Sequence, residues 1–461
     1  MAGDRNSQAA WLVLAAGAIM LTAEAALAAD WPSWRGPDRT DISPEDSGWK
    51  AGGWPPAAAA WKKNVGTGEN SPIVGGGKVF VLGRVAGADN VYCLDPATGN
   101  EVWKQTYPSR GRSRFATGDE GAYVEGPIST PSYDEETGYL FSLSVDGELN
   151  GWNTAQKGAK VWGFNLFDTF QVGRRAGNRD YGYTSSPLVY GNWAVVEVGS
   201  RQGALVAFDK KTGKRAWASE DVSMAGHSGG PVPIVVDKVP CIAALCLGEL
   251  LVVRVDRGKE GRTVATYPYR PQFNSYLTTP AYWDGLVVVS NHLGSDDLVE
   301  VSLRGAMKRG RAPHTDVSSP IFYKNRLYKI SSLLECWDVR ATGVSKVWQG
   351  DDFGIGGTLI MTADGKLICL GNGRLALYDT DGKKLAEKGG VATGWPHVAF
   401  ADGRVYCKNS GGELQCYVVN PSPAPSPPRT PGEPATGSRK TVKPGTARPL
   451  APSGAQKVPG N

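Results

Sequence analysis

Four histidines and seven cysteines among 461 residues are a thin supply for metal or acid–base chemistry, and their spacing narrows it further. Cys93, Cys241, Cys246, Cys336, Cys369, Cys407 and Cys416 include no adjacent pair and no Cys-x-x-Cys-His haem site. His227 (inside "AGHSGGP"), His314 and His397 each sit two or three residues before the expected start of an innermost strand, too spread to define a metal centre. The denser chemistry is cationic. "YPSRGRSRFATGDEGAYVEG" carries Arg110, Arg112 and Arg114, and "FDTFQVGRRAGNRDYGY" carries Arg174, Arg175 and Arg179. Guanidinium groups in such loops recognise carboxylate, phosphate or sulfate through paired hydrogen bonds. The alternative is a pair of solvated loops whose Arg meet Asp119, Glu120 and Asp180. With His227, these six Arg are the ligand-binding candidates. No Gly-rich phosphate loop opens a helix and no local Ser/His/Asp signature occurs, so no catalytic residue and no metal ligand is assigned.

The elements that must position these residues are set by internal repetition. Units start with two small residues and Pro, or a variant of this, at Ser71-Pro72, Thr130-Pro131, Ser186-Pro187, Gly230-Pro231, Thr279-Pro280, Ser319-Pro320, Gly357-Thr358 and Trp395-Pro396. Successive starts are 59, 56, 44, 49, 40, 38 and 38 residues apart. Within units, "GKVFVLG", "NRLYKIS" and "GKLICLGNGRLALYD" alternate with period two about Asn-Gly, Asp-Gly or Gly-Gly turns, which predicts hairpins. Eight units of four short strands predict an all-β, eight-bladed propeller over 54–419. The long first two spacings place the Arg-rich insertions at the entry to the innermost strand, near one mouth of the channel.

A second recurring motif, Ala-x-Asp-x-x-Thr-Gly-x-x-x-Trp, is complete at Ala207–Trp217 with Asp209 and Gly213. Asp95, Gly99 and Trp103 form another copy; Asn153 with Trp162, and Asp338 with Gly343 and Trp348, carry a one-residue insertion. Asp caps a turn, Gly supplies a left-handed residue, and Trp ends the outer strand to stack on the next blade. The last unit stops at Val419 before any such turn, so Ala60–Val65 is expected to supply its outer strand and close the ring. Cys93, Cys336 and Cys416 take the motif's first position, where a small buried residue fits. A Gly411-Gly412 turn would set Cys407 opposite Cys416, either as a cross-strand disulfide or as two packed thiols.

The ends differ from this body. Trp11–Ala28 is largely apolar and finishes in Ala26-Leu27-Ala28, which predicts a signal peptide over 1–28 and export to the periplasm or cell envelope. Residues 29–53 form an N-terminal extension. From Asn420 to Asn461 the chain is Pro-rich, basic and expected to be disordered. Its six Lys and Arg against Glu433 make it +5, the net charge of the whole chain. The leader carries −1, so the body is nearly neutral and no nucleic-acid groove is indicated. No later stretch could cross a membrane, and a monomer is expected.

These repeats resemble the PQQ-like (pyrroloquinoline quinone-like) propeller family over roughly 54–419. "WPSWRGPDRTDIS" (Trp31–Ser43) and "YGYTSSPLVYGNWAVVEVG" look like segments of exported PQQ-like proteins related to the outer-membrane assembly factor BamB. The resemblance implies two classes. One is a cofactor-free scaffold that binds protein or an anionic small molecule on a face. The other is a PQQ-dependent alcohol or sugar dehydrogenase, with quinone over the axis, calcium held by carboxylates, an Asp base and a disulfide between adjacent cysteines. The cysteine spacing departs from that enzyme pattern. Glu125, Asp180 and Glu197 show no ligand spacing for calcium. No Cys follows the expected cleavage point, which departs from a lipoprotein anchor. The expected reading is the scaffold without cofactor.

Overall fold

Turn chemistry makes the hairpins. Asp284–Gly285, Asn372–Gly373 and Asp402–Gly403 hold both central residues at positive φ (46° and 82°, 47° and 69°, 54° and 61°). That geometry matches the right-handed twist of the strands they join. In the computed structural model the linked hairpins build eight antiparallel sheets around an axis, an eight-bladed β-propeller. The structure describes residues 29–111, 125–173, 182–227, 229–269, 278–290, 294–395 and 397–420. The chain divides into Met1–Pro425 and Ser426–Asn461, the second outside the described residues, as are the expected leader and basic tail.

Blades 1 to 7 span 73–108, 132–165, 188–218, 232–268, 281–311, 321–354 and 358–389; blade 8 combines 397–418 with Trp61–Asn64. Within blades 1 to 7 the strands follow one another in sequence order from the axis outward, whereas the outermost strand of blade 8 is the earliest in the chain. Blade 6 has a single central run, Arg326–Arg340. A straight strand would separate Lys329 from Glu335 by about 20 Å. Their charged groups lie 2.8 Å apart. The run therefore reverses at Ser332 (φ 72°) and supplies two strands of the blade.

Ring closure is as the missing strand requires. Trp61–Asn64 pairs antiparallel with the last strand, Trp61 opposite Cys416 and Asn64 opposite Glu413. Both faces of every blade meet a neighbour, so inner strands are buried on both sides and the core is a set of layers between blades. Phe80, Val91 and Trp103 of blade 1 pack with Leu140 and Trp152 of blade 2, and Val287 and Val299 of blade 5 with Leu245 and Val252 of blade 4.

The Trp motif couples these layers. Asp209 Oδ1 accepts from Lys211 N at 3.2 Å and from Thr212 N and Thr212 Oγ1 at 2.8 Å, and Gly213 turns at φ 72°. Trp162 of blade 2 lies flat on that turn. A Cβ on Gly213 would approach its ring to 2.7 Å, and its indole N–H donates to Lys210 O at 3.1 Å. Trp61 treats the Asp95–Gly99 turn the same way, donating to Pro96 O at 2.9 Å. Trp348 donates to Thr380 O at 2.8 Å and covers Gly382. Trp103 covers Gly158. Trp217 faces blade 4, which lacks the motif; its buried N–H finds no acceptor among the described residues, and its ring packs edge-on against Trp193.

Two expectations are corrected. Asp338 caps no turn: Arg340 pairs with Gly343 in a two-residue hairpin, and Asp338 pairs with Arg340 instead. Nothing lies within 4 Å of where a Gly343 Cβ would be, so that turn docks no neighbour. Nor does Cys407 face Cys416. Asn409 Oδ1 accepts from Glu413 N at 2.9 Å, making a three-residue loop that slips the register by one. Cys407 then pairs with Gln415 and Tyr406 with Cys416, which puts the two thiols on opposite faces, and both are free.

Entry and exit of the propeller meet at one turn. Glu45 accepts from Ala29 N, Asp402 N and Gly403 N at 2.7 to 2.9 Å, while Val419 N and Asn420 N donate to Gly403 O.

Replacing Trp217 by Ala should cost about 3–5 kcal/mol, read from the urea midpoint at constant m. Trp162→Phe should lose about 1 kcal/mol more than Trp217→Phe, because only Trp162 has an acceptor to lose. Equal losses would show that the indole hydrogen bond adds nothing to the lock.

Candidate functional site

The small hydroxyl residues before each Pro explain themselves at the axis. Ser71 N donates to Thr130 Oγ1 (2.9 Å), Thr130 N to Ser186 Oγ (3.0 Å) and Thr279 N to Ser319 Oγ (2.9 Å). Blades 1 and 2, 2 and 3, and 5 and 6 are thus tied where their innermost strands begin.

Inside this belt lies the segment between Asp30 and Ser47, which touches all eight blades. Its start pairs with blade 1 through Trp31 and Val74, and Tyr133 N of blade 2 donates to Pro32 O. Arg39, 1% exposed, donates to Ser186 O and Pro231 O at 3.0 Å and also to Pro187 O, which links blades 3 and 4. Trp34 donates to Thr279 Oγ1 of blade 5 at 2.8 Å, and a Cβ on Gly229 of blade 4 would meet its indole nitrogen at 2.4 Å. Its ring also stands edge-on to His397 of blade 8, 5.6 Å away. Blades 4 and 8 are opposite members of an eight-membered ring, so a side chain touching both sits on the axis. Arg35 donates to Pro320 O of blade 6, Ser43 N to Met361 O of blade 7. The turn is tight: Arg35, Gly36, Arg39 and Asp41 all have positive φ, and Gly36 lies against Trp31, where a Cβ would come within 2.8 Å.

Burial dictates the electrostatics. Arg39 is brought down to about 9, by burial first, opposed by Glu197. Arg35 pairs with Asp41, whose carboxyl is nonetheless raised because burial outweighs the guanidinium. At the seam between blades 8 and 1, His397 pairs in register with Lys408. Lys408 Nζ donates to Gly68 O and, at 3.3 Å, to Asn409 O. Burial pulls Lys408 down to about 7, against the attraction of Glu69, and lifts Glu69 to about 7, against Lys408. Burial followed by the Lys408 charge lowers His397 to about 3.

The residues singled out in the sequence do not gather here. Arg110 is exposed, and its backbone N–H is held by Asp146. Arg112, Arg114, Arg174, Arg175 and Arg179, with Asp119, Glu120 and Asp180, lie outside the described residues. His227 is buried at the approach to blade 4, and His314 is bound to Asp296. His397 opens the strand His397–Ala401 rather than preceding it. Glu125 is exposed and Glu197 buried, and among the described residues no three His, Cys, Asp or Glu gather as metal ligands. Trp34 occupies the axis, and Arg39 fills the space beside it against blades 2 to 4. The described residues do not fit PQQ with calcium. The axial segment itself escaped sequence reasoning; two Trp and two Arg within nine residues of an apparent extension were the available signal.

Residues 49–231 match the family described as glucose/ethanol/alcohol dehydrogenase, β-propeller domain. Over 111 residues, 24% of this chain, the sequence is 30% identical to outer membrane protein assembly factor BamB of Francisella salina. That match spans only 19% of the relative's length. Among solved structures, quinohemoprotein alcohol dehydrogenase from Comamonas testosteroni superposes with TM-score 0.59 at 16% identity, covering 86% of this chain and 81% of that one. A quinohemoprotein alcohol dehydrogenase of Pseudomonas putida HK5 gives 0.55 at 15%, covering 89% and 84%. The chain contains a PQQ-like β-propeller domain with distant similarity to BamB and to quinoprotein dehydrogenases.

Arg39→Met leaves buried carbonyls of blades 3 and 4 without their donor and should cost about 3–5 kcal/mol in urea unfolding. A loss below about 1 kcal/mol would mean the axial segment is not structurally required. His397 stays neutral in the fold while the unfolded chain binds a proton below about 6.5, so stability should fall as pH drops from there, by up to about 1.4 kcal/mol per unit. His397→Phe should flatten this limb; an unchanged acid limb would show that other groups cause it.

Proposed function

We propose that this chain is an exported, non-catalytic propeller acting in the cell envelope as a binding or scaffolding protein. The observation that carries the reading is the filled axis. The chain spends its own Trp34, with Arg39 beside it, where a propeller enzyme would place a ligand, leaving the faces and clefts to engage partners. The similarity to BamB, an outer membrane assembly factor, supports an envelope setting. The apolar run before Ala28 supports export.

A second reading, PQQ-dependent oxidation of an alcohol or sugar, is favoured by one observation: the family matching 49–231 is described by its dehydrogenases. Titration of the purified chain with PQQ and calcium separates the two. The scaffold reading expects no stoichiometric quinone absorbance and no dye-linked oxidation, together with recovery of a specific partner from envelope extracts. A tight PQQ complex with turnover would replace it.

A further inference from the structure

Blades 5 and 6 flank an open cleft of about 460 Å³, within the size range of small-molecule sites. Its wall carries one buried carboxylate, Glu335, and a second, Asp296, stands behind His314; both are already engaged. Asp296, 1% exposed, takes His314 Nδ1 at 3.0 Å on one oxygen, and Thr315 N and Thr315 Oγ1 at 2.8 Å on the other. Glu335 takes Lys329 at 2.8 Å, Trp337 Nε1 at 3.0 Å and Lys346. Their acceptor capacity is largely used by the protein's own donors.

What remains is donation. With Nδ1 turned to Asp296, the half-exposed His314 ring has Nε2 left for the cleft, and the Asp296 hydrogen bond favours its protonated form. Ser331 Oγ accepts from Lys329 Nζ at 2.6 Å, which leaves its own proton to give. Arg311 stands at the rim, in no ion pair among the described residues. Beside these donors lie Pro313, Trp337 and Val344, an apolar wall.

We propose that this cleft binds an organic carboxylate, its oxygens meeting Arg311, His314 and Ser331 and its apolar body resting on Pro313, Trp337 and Val344. The proposal goes beyond the scaffold reading, since it assigns a small ligand to a site away from the axis.

The test uses the full chain and sodium benzoate, with benzamide as the uncharged isostere and inorganic phosphate as an anion without an apolar body. The readout is the imidazole NMR signal of His314, identified by its loss in His314→Gln. Benzoate should shift it saturably, with Kd on the order of 1 mM, and benzamide should not. Arg311→Gln and Ser331→Ala should each weaken binding about tenfold. Both alter single groups at the cleft and leave the Lys329–Glu335 pair in place, so a folded variant is expected for each and is checked by urea unfolding. Absence of saturation on the order of 10 mM, equal binding of benzamide, tighter binding of phosphate than benzoate, or unchanged affinity in both variants overturns the proposal.

Discussion

A ring of sheets is only as good as its seam. Seven blades are continuous in sequence, but the eighth is assembled from strands more than 300 residues apart, Trp61–Asn64 and Glu413–Val418. Without that pairing the last sheet would present a bare edge at the seam with blade 1. Trp61 adds a second tie across the same seam, its ring near Tyr406 of blade 8 and its N–H on Pro96 of blade 1. The interblade layers require that closure, because each gains its burial from two neighbours at once.

Around the ring the ties are unequal. Full Trp-on-turn locks join blades 8 to 1, 2 to 3 and 6 to 7, through Trp61, Trp162 and Trp348. Trp103 and Trp217 pack without a comparable hydrogen bond among the described residues, and the outer strand of blade 5, Gly305–Arg311, carries no Trp. The axial segment compensates from within: one guanidinium, Arg39, reaches Ser132 of blade 2 as well as blades 3 and 4. Burying that charge is costly unless its donors are met; carbonyls at the strand starts and Ser132 Oγ meet its two terminal nitrogens, while Nε has no partner among the described residues.

Much of this was legible in the sequence because propeller contacts are periodic. Eight unit starts, six of them a small residue followed by Pro, the turn dipeptides and the spare strand at Ala60–Val65 follow from comparing one unit with the next. Where a feature belongs to a single blade, that comparison fails. The Gly411-Gly412 pair looked like a two-residue turn, yet the Asn409 side chain captures Glu413 N and shifts the register by one, enough to send Cys407 to the other face. Asp338 resembled its counterparts in type and spacing but had Arg340 two residues away as a stronger partner. The axial segment occurs once, and it binds mostly backbone carbonyls, which carry no side-chain signature.

The junction at Glu45 has a mechanical reading. Ala29 and Asn420 are separated by nearly the whole propeller in sequence, yet both are fastened to Asp402–Gly403 and Glu45. Tension applied through the two flanking segments would therefore load one carboxylate and one turn first. Blade 1, which Asp30 and Trp31 grip immediately after Ala29, would be loaded next, so this corner shields the rest of the ring until it gives.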